Sequence, residues 1–143
     1  MTATLQLTLK NDMAEHARLA AALSDWAEAE GIDPGLATTF ELAFDEILAN
    51  ITSYAYDDPD AEHAIEVACR WDGATLSAEV VDEGRPFDPL AAPDPDLEAG
   101  LEERAVGGLG LFLVRQLMDE VAYRRDGPRN RLSFAKKPAA EDQ

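Results

Sequence analysis

Ala64-Ile65-Glu66-Val67-Ala68-Cys69-Arg70-Trp71-Asp72-Gly73-Ala74-Thr75-Leu76-Ser77-Ala78-Glu79-Val80-Val81-Asp82 reads as two strands joined by a tight turn. Asp-Gly between two apolar-rich runs is a strong hairpin signal, and a hairpin makes antiparallel neighbours. The predicted strands are 64–71 and 74–82. The same grammar returns near the C-terminal end, where strands near 120–125 and 131–136 flank Asp126-Gly127-Pro128. Near the start, Thr4-Leu5-Gln6-Leu7-Thr8-Leu9 alternates polar and apolar, as a half-buried strand does.

Helices fill the intervals. Asn11 or Asp12 is placed to cap a first helix, with Met13, Ala17, Leu19, Ala20, Leu23 and Trp26 at helical spacing and a stop at Gly31. Asp33-Pro34 restarts a helix in the N-cap and N1 arrangement. The second helix is expected to run to about Tyr56, with Phe40, Phe44, Ile47, Ile51 and Tyr54 as its apolar stripe. A third opens at Gly107-Gly108-Leu109-Gly110 and continues through Leu111-Phe112-Leu113-Val114 to Met118. Paired strands with few helices predict an α+β fold, a two-layer sandwich. Its mostly antiparallel, mixed sheet carries three helices on one face. Residues 1–137 read as a single domain and 138–143 as a frayed, flexible tail.

Composition sets outer bounds. At 143 residues the chain can bury a core without staples. A lone cysteine, Cys69, excludes an internal disulfide and reads as a small buried hydrophobe. Neither a signal peptide nor a membrane-length apolar run is evident, so a cytoplasmic setting is expected and a membrane partner is not. The net charge of −17 argues against direct nucleic-acid binding, which needs phosphate neutralisation. It is compatible with docking on a basic protein surface, but acidity alone favours simple solubility.

Three short signals carry chemistry, each with a plainer alternative. Glu46 and Asn50 lie four apart, hence on one side of the second helix at the edge of its apolar stripe. A carboxylate there can take a proton, and an amide oxygen can ligate a hard cation such as Mg²⁺. The alternative is a solvated polar face. Asp82 ends a strand and is followed by Glu83-Gly84, which suits a carboxylate accepting from an exocyclic amine such as that of adenine, or an ordinary Asx turn. The 107–110 glycines let backbone N–H groups approach a phosphate at a helix start, or form a plain loop. The Pro- and Asp-rich stretch 83–106 between the last two signals has the length and composition of a lid. Gly-Lys-[Ser/Thr] is missing, so a Walker A loop is excluded, and the βαβ setting of a dinucleotide fold is missing too.

The order Glu-x-x-x-Asn, Asp-x-Gly, Gly-x-Gly resembles the N, G1 and G2 boxes of the GHKL (Bergerat-fold) ATPases. The block Glu41-Leu42-Ala43-Phe44-Asp45-Glu46-Ile47-Leu48-Ala49-Asn50, the run Leu117-Met118-Asp119-Glu120-Val121 and the strand Asn130-Arg131-Leu132 resemble the small RsbW-like anti-sigma-factor serine/threonine kinases. That resemblance spans nearly the whole chain and implies ATP and Mg²⁺ as cofactors. It implies Glu46 as catalytic base and Asn50 as Mg²⁺ ligand. Asp82 with Gly84 would read adenine, while Gly107, Gly108, Leu109, Gly110 and Leu111 would cradle phosphate. Arg104 falls where relatives carry an arginine that meets the γ-phosphate or a partner, and Ser133 falls near a hydroxyl that assists adenine binding. The sequence departs from the family at Pro86-Phe87, in place of the second G1 glycine, and at Tyr54, in place of a histidine.

The resemblance further implies phosphorylation of a STAS-domain anti-sigma-factor antagonist and binding of a sigma factor or related regulator. Family members are often dimers, and no stretch here marks an interface. Two other readings stand beside it: a nucleotide-binding partner switch with little kinase activity, and a slow ATPase related to histidine-kinase catalytic domains. The latter lacks a phosphoacceptor helix, because His16 reads as part of an ordinary exposed face and His63 is the only other histidine.

Overall fold

The computed structural model describes residues 2–51, 64–84 and 114–138. In chain order they form β1 (Ala3–Lys10), α1 (Glu15–Glu30), α2 (Pro34–Asn50), β2 (Ala64–Trp71), β3 (Leu76–Asp82), β4 (Glu120–Asp126) and β5 (Arg129–Lys136). The five strands make one sheet in the order β1-β2-β3-β5-β4. All four ladders are antiparallel, so the described sheet is not mixed.

The hairpin forms as its sequence predicts, with a wider turn. Asp72 Oδ1 accepts from the N–H groups of both Ala74 and Thr75 at 2.8 Å, which delays β3 to Leu76. Those bonds also hold the Asp72 carboxyl below its ordinary pKa. Gly73 takes φ 93°, a left-handed value that a side chain would strain.

The helices start and stop for local reasons. Asp33 caps α2 through a 3.1 Å bond from Leu36 N–H, with Pro34 at the first helical position. Gly31, at φ 71°, ends α1, and Ile32 N–H reaches back to Ala27 O. The start of α1 differs from expectation. Asp12 accepts from Ala14 N–H, forming a turn before the helix, and Ala14 occupies the N-cap without a side-chain bond. Met13 therefore lies outside the helix and is 53% exposed, and Ala17 is exposed as well. The buried stripe of α1 is Leu19, Leu23 and Ala27. Helix α2 buries Phe40, Phe44 and Ile47 as expected, while Tyr54 and Tyr56 lie outside the described residues.

Period-two alternation gives the sheet two unlike faces. Leu9, Ile65, Val67, Cys69, Leu76, Ala78, Val80, Leu132 and Phe134 point to one side and join the helices in a single core. Phe134 sits 5.4 Å from the rings of both Phe40 and Phe44, which fixes α2 on that side. Residues 114–117 are helical, and Val114 and Met118 enter the same core. Burial pushes the Cys69 thiol up to about 12, leaving it neutral and unreactive.

Candidate functional site

Asp82 is the last residue of β3 and alternates with Ala78 and Val80, so its side chain falls on the helix-covered face. It is 6% exposed. A carboxylate so deep must be hydrogen-bonded. Its Oδ1 accepts from Gly84 N–H at 2.8 Å and from Asn130 Nδ2 at 3.0 Å. Burial raises its pKa, opposed by the bonds from Asn130 and Gly84 and by the charge of Arg125. Among the described residues nothing donates to Oδ2. That leaves Oδ2 as an acceptor available to a further donor.

The support comes from the neighbouring strands. The ladder aligns Asp82 with Asn130 on β5, and Asn130 with Arg125 on β4. Asn130 Oδ1 accepts from Tyr123 Oη at 2.5 Å and from Arg125 Nη1 at 3.1 Å. Arg125 Nη1 also donates to Gly84 O at 2.8 Å, and Asn130 Nδ2 lies 3.3 Å from that same carbonyl. The turn Asp82-Glu83-Gly84 is thus tied at both ends. The sequence does not single out Asn130, Arg125 or Tyr123 as site residues, although Asn130 lies in the strand that carries the family resemblance. The available signal was an amide in step with Leu132 and Phe134, a polar group on an apolar face.

Glu46 and Asn50 lie where helical spacing puts them, on the flank of α2 beside buried Ile47. Both are half-buried, and neither side chain has a hydrogen-bond partner among the described residues. Since α2 packs on Phe134, Glu46 and Asn50 share the helix layer that covers the Asp82 face of the sheet. The donor chemistry of Asn50 fits a Mg²⁺ ion that takes most of its ligands from water and phosphate. No group of three or more His, Cys, Asp or Glu side chains could hold a metal among the described residues.

Ser133 does not join Asp82. It pairs with Glu79 and Ala122 and faces the opposite side of the sheet, because alternation sends every second residue of β5 away from the helices. There it lines a groove with Thr4, Arg70 and Glu79. Arg104, Gly107, Gly108, Leu109, Gly110 and Leu111 lie outside the described residues. His16 is not on an open face: its side chain is 15% exposed, and its Nδ1 lies 3.4 Å from Asp45 Oδ1, joining α1 to α2. No helix among the described residues is long and apolar enough to cross a membrane.

Comparisons with known proteins agree with this architecture. The family described as histidine kinase-like ATPase domain matches residues 9–136. The serine/threonine-protein kinase BtrW of Bordetella bronchiseptica is 34% identical over 103 residues, covering 72% of each chain. The serine-protein kinase RsbW of Listeria monocytogenes is 31% identical over 123 residues, covering 82% of this chain and 76% of that protein. Among solved structures, the RsbU and RsbW domains of Rv1364c from Mycobacterium tuberculosis superpose with a TM-score of 0.67 at 18% identity. That match covers 94% of this chain and 32% of the other. The SiaB–SiaC complex from Pseudomonas aeruginosa gives a TM-score of 0.51 at 22% identity, covering 91% and 88%. Sequence identity, extent of match and fold converge, and the chain belongs to the histidine kinase-like ATPase domain family, with the kinases BtrW and RsbW among its relatives.

Proposed function

We propose that this protein is an ATP- and Mg²⁺-dependent serine/threonine kinase that acts as an anti-sigma factor. Its substrate would be a hydroxyl on a STAS-domain antagonist, and its second partner a sigma factor or related regulator. The observation that carries the nucleotide reading is the open Oδ2 of buried Asp82, an acceptor suited to the 6-amino group of adenine. The names of the relatives BtrW and RsbW support transfer to serine or threonine.

Phosphoryl transfer asks mainly for positioning and for neutralised phosphate charge. Asp82 and Gly84 would fix the base. Glu46 would take the proton from the acceptor hydroxyl. Asn50 would hold Mg²⁺, which when bound offsets phosphate charge. The N–H groups of 107–111 and the side chain of Arg104 would meet the phosphates. A basic partner surface suits the net charge of −17.

Transfer of radiolabel from γ-labelled ATP to candidate STAS-domain proteins tests this reading. Glu46→Gln should slow transfer about 10²- to 10⁴-fold, the span of general-base catalysis, with ATP affinity retained. Transfer at the wild-type rate without Glu46 would remove its assignment as base. ATP binding with no transfer to any STAS protein would favour a nucleotide-bound partner switch.

A further inference from the structure

Asn130 presents two donors on nitrogen and two lone pairs on oxygen, and its orientation decides what Asp82 meets. Tyr123 Oη, 2.5 Å from Oδ1, could donate or accept and so does not fix the amide. Arg125 can only donate, and its Nη1 stands 3.1 Å from the same oxygen. Turning the amide over would set NH₂ against the guanidinium. Oδ1 therefore faces β4, and Nδ2 faces Asp82 Oδ1 and Gly84 O. Arg125 also holds Gly84 O, so one guanidinium grips the amide and the turn together. With two donors on Asp82 Oδ1, the remaining acceptor is Oδ2.

We propose that Arg125 is a positioning residue for base selection: it orients Asn130 so that Asp82 offers a single outward acceptor, matched to a purine carrying a 6-amino group. Tyr123 is secondary. This rests on the reading of Asp82 as the base-binding carboxylate. A purine with a carbonyl at that position would set acceptor against acceptor, so the pocket rejects it only while the amide stays in place.

The test compares ATP with inosine triphosphate, in which a carbonyl replaces the 6-amino group and N1 carries a proton, by titration calorimetry on the full chain. Arg125→Met should weaken ATP about tenfold and lower the ATP-to-inosine preference with it, roughly the loss of one charge-assisted hydrogen bond. Arg125→Lys, which keeps a donor, should recover most of the preference, and Tyr123→Phe should keep it. Equal weakening of both nucleotides in Arg125→Met, or no change in either, would overturn the proposal. Carboxyl ¹³C NMR of Asp82 in nucleotide-free protein separates the two readings. Loss of Arg125 should raise the Asp82 pKa, since a nearby positive charge and a fixed donor both go. If wild type binds no ATP yet that rise occurs, the adenine assignment falls while the Arg125–Asn130–Asp82 order stands. If Asp82 titrates unchanged, the positioning role falls even where ATP binds.

Discussion

Asp82 shows what a buried carboxylate costs a small domain. Its folded pKa lies above the ordinary carboxylate value, chiefly because burial disfavours the charge. Between those two values the folded state holds more protons than the unfolded chain, so stability falls as pH rises through that window. Asp82→Asn keeps an oxygen for Gly84 and Asn130 and removes the buried charge. The variant should match or exceed wild type in urea unfolding at neutral pH, and the gap should close as pH falls through the window. Its ATP affinity should drop about 10- to 100-fold, the worth of a hydrogen bond to a charged acceptor. An unchanged dissociation constant would show that the carboxylate does not meet the base.

At the scale of elements, the contact between α2 and β5 positions everything else. Phe134 is 2% exposed and lies between Phe40 and Phe44. Phe134→Ala should cost about 3–5 kcal/mol, as large-to-small changes in a packed aromatic core do. That is a large part of the stability of a domain this size, so the urea midpoint should collapse, while Phe134→Leu should cost distinctly less. A shift within about 0.5 kcal/mol for the alanine variant would mean that the ring triad does not anchor α2. The elements themselves were legible from local chemistry: Asp33-Pro34 opened α2, Gly31 closed α1, and Asp72-Gly73 joined β2 to β3. Glu46, Asn50 and Asp82 could be read because spacing on one element sets their face. Ser133 and Asn130 show the limit. They differ by three positions: alternation along β5 turns Ser133 away from the core face, and the register against β3 sets Asn130 beside Asp82. Met13 was misplaced because α1 starts later than its capping residues suggested. The contacts that link Asp82 to Asn130 and Asn130 to Arg125 span three strands, and no pattern within one segment encodes them.

Across the whole molecule, charge is sorted by layer. Helices α1 and α2 carry a single basic side chain between them, Arg18. Strands β4 and β5 carry Arg124, Arg125, Arg129, Arg131 and Lys136. Several of these pair with acids near the surface, including Arg131 with Glu79 at 2.6 Å and Arg129 with Glu83 at 3.6 Å. Exposed pairs contribute about 0–1 kcal/mol each, whereas a net charge of −17 repels itself throughout. Raising salt toward about 0.15 M, where the screening length is near 8 Å, should therefore raise the melting temperature. A melting temperature that falls with added salt would mean that the attractive pairs dominate. The strand order has a consequence for synthesis. Strand β5 lies between β3 and β4, so β4 leaves the ribosome before β5, its sheet partner among the described residues, exists. Asp82 is made some fifty residues ahead of the amide that completes its surroundings, a separation of 48 positions. A nascent chain halted before Asn130 would carry the carboxylate proposed to read the base without the strand that orders it. On that proposal, nucleotide capture becomes a late event in the life of each polypeptide, closed to truncated products and reserved for chains in which β5 has been inserted.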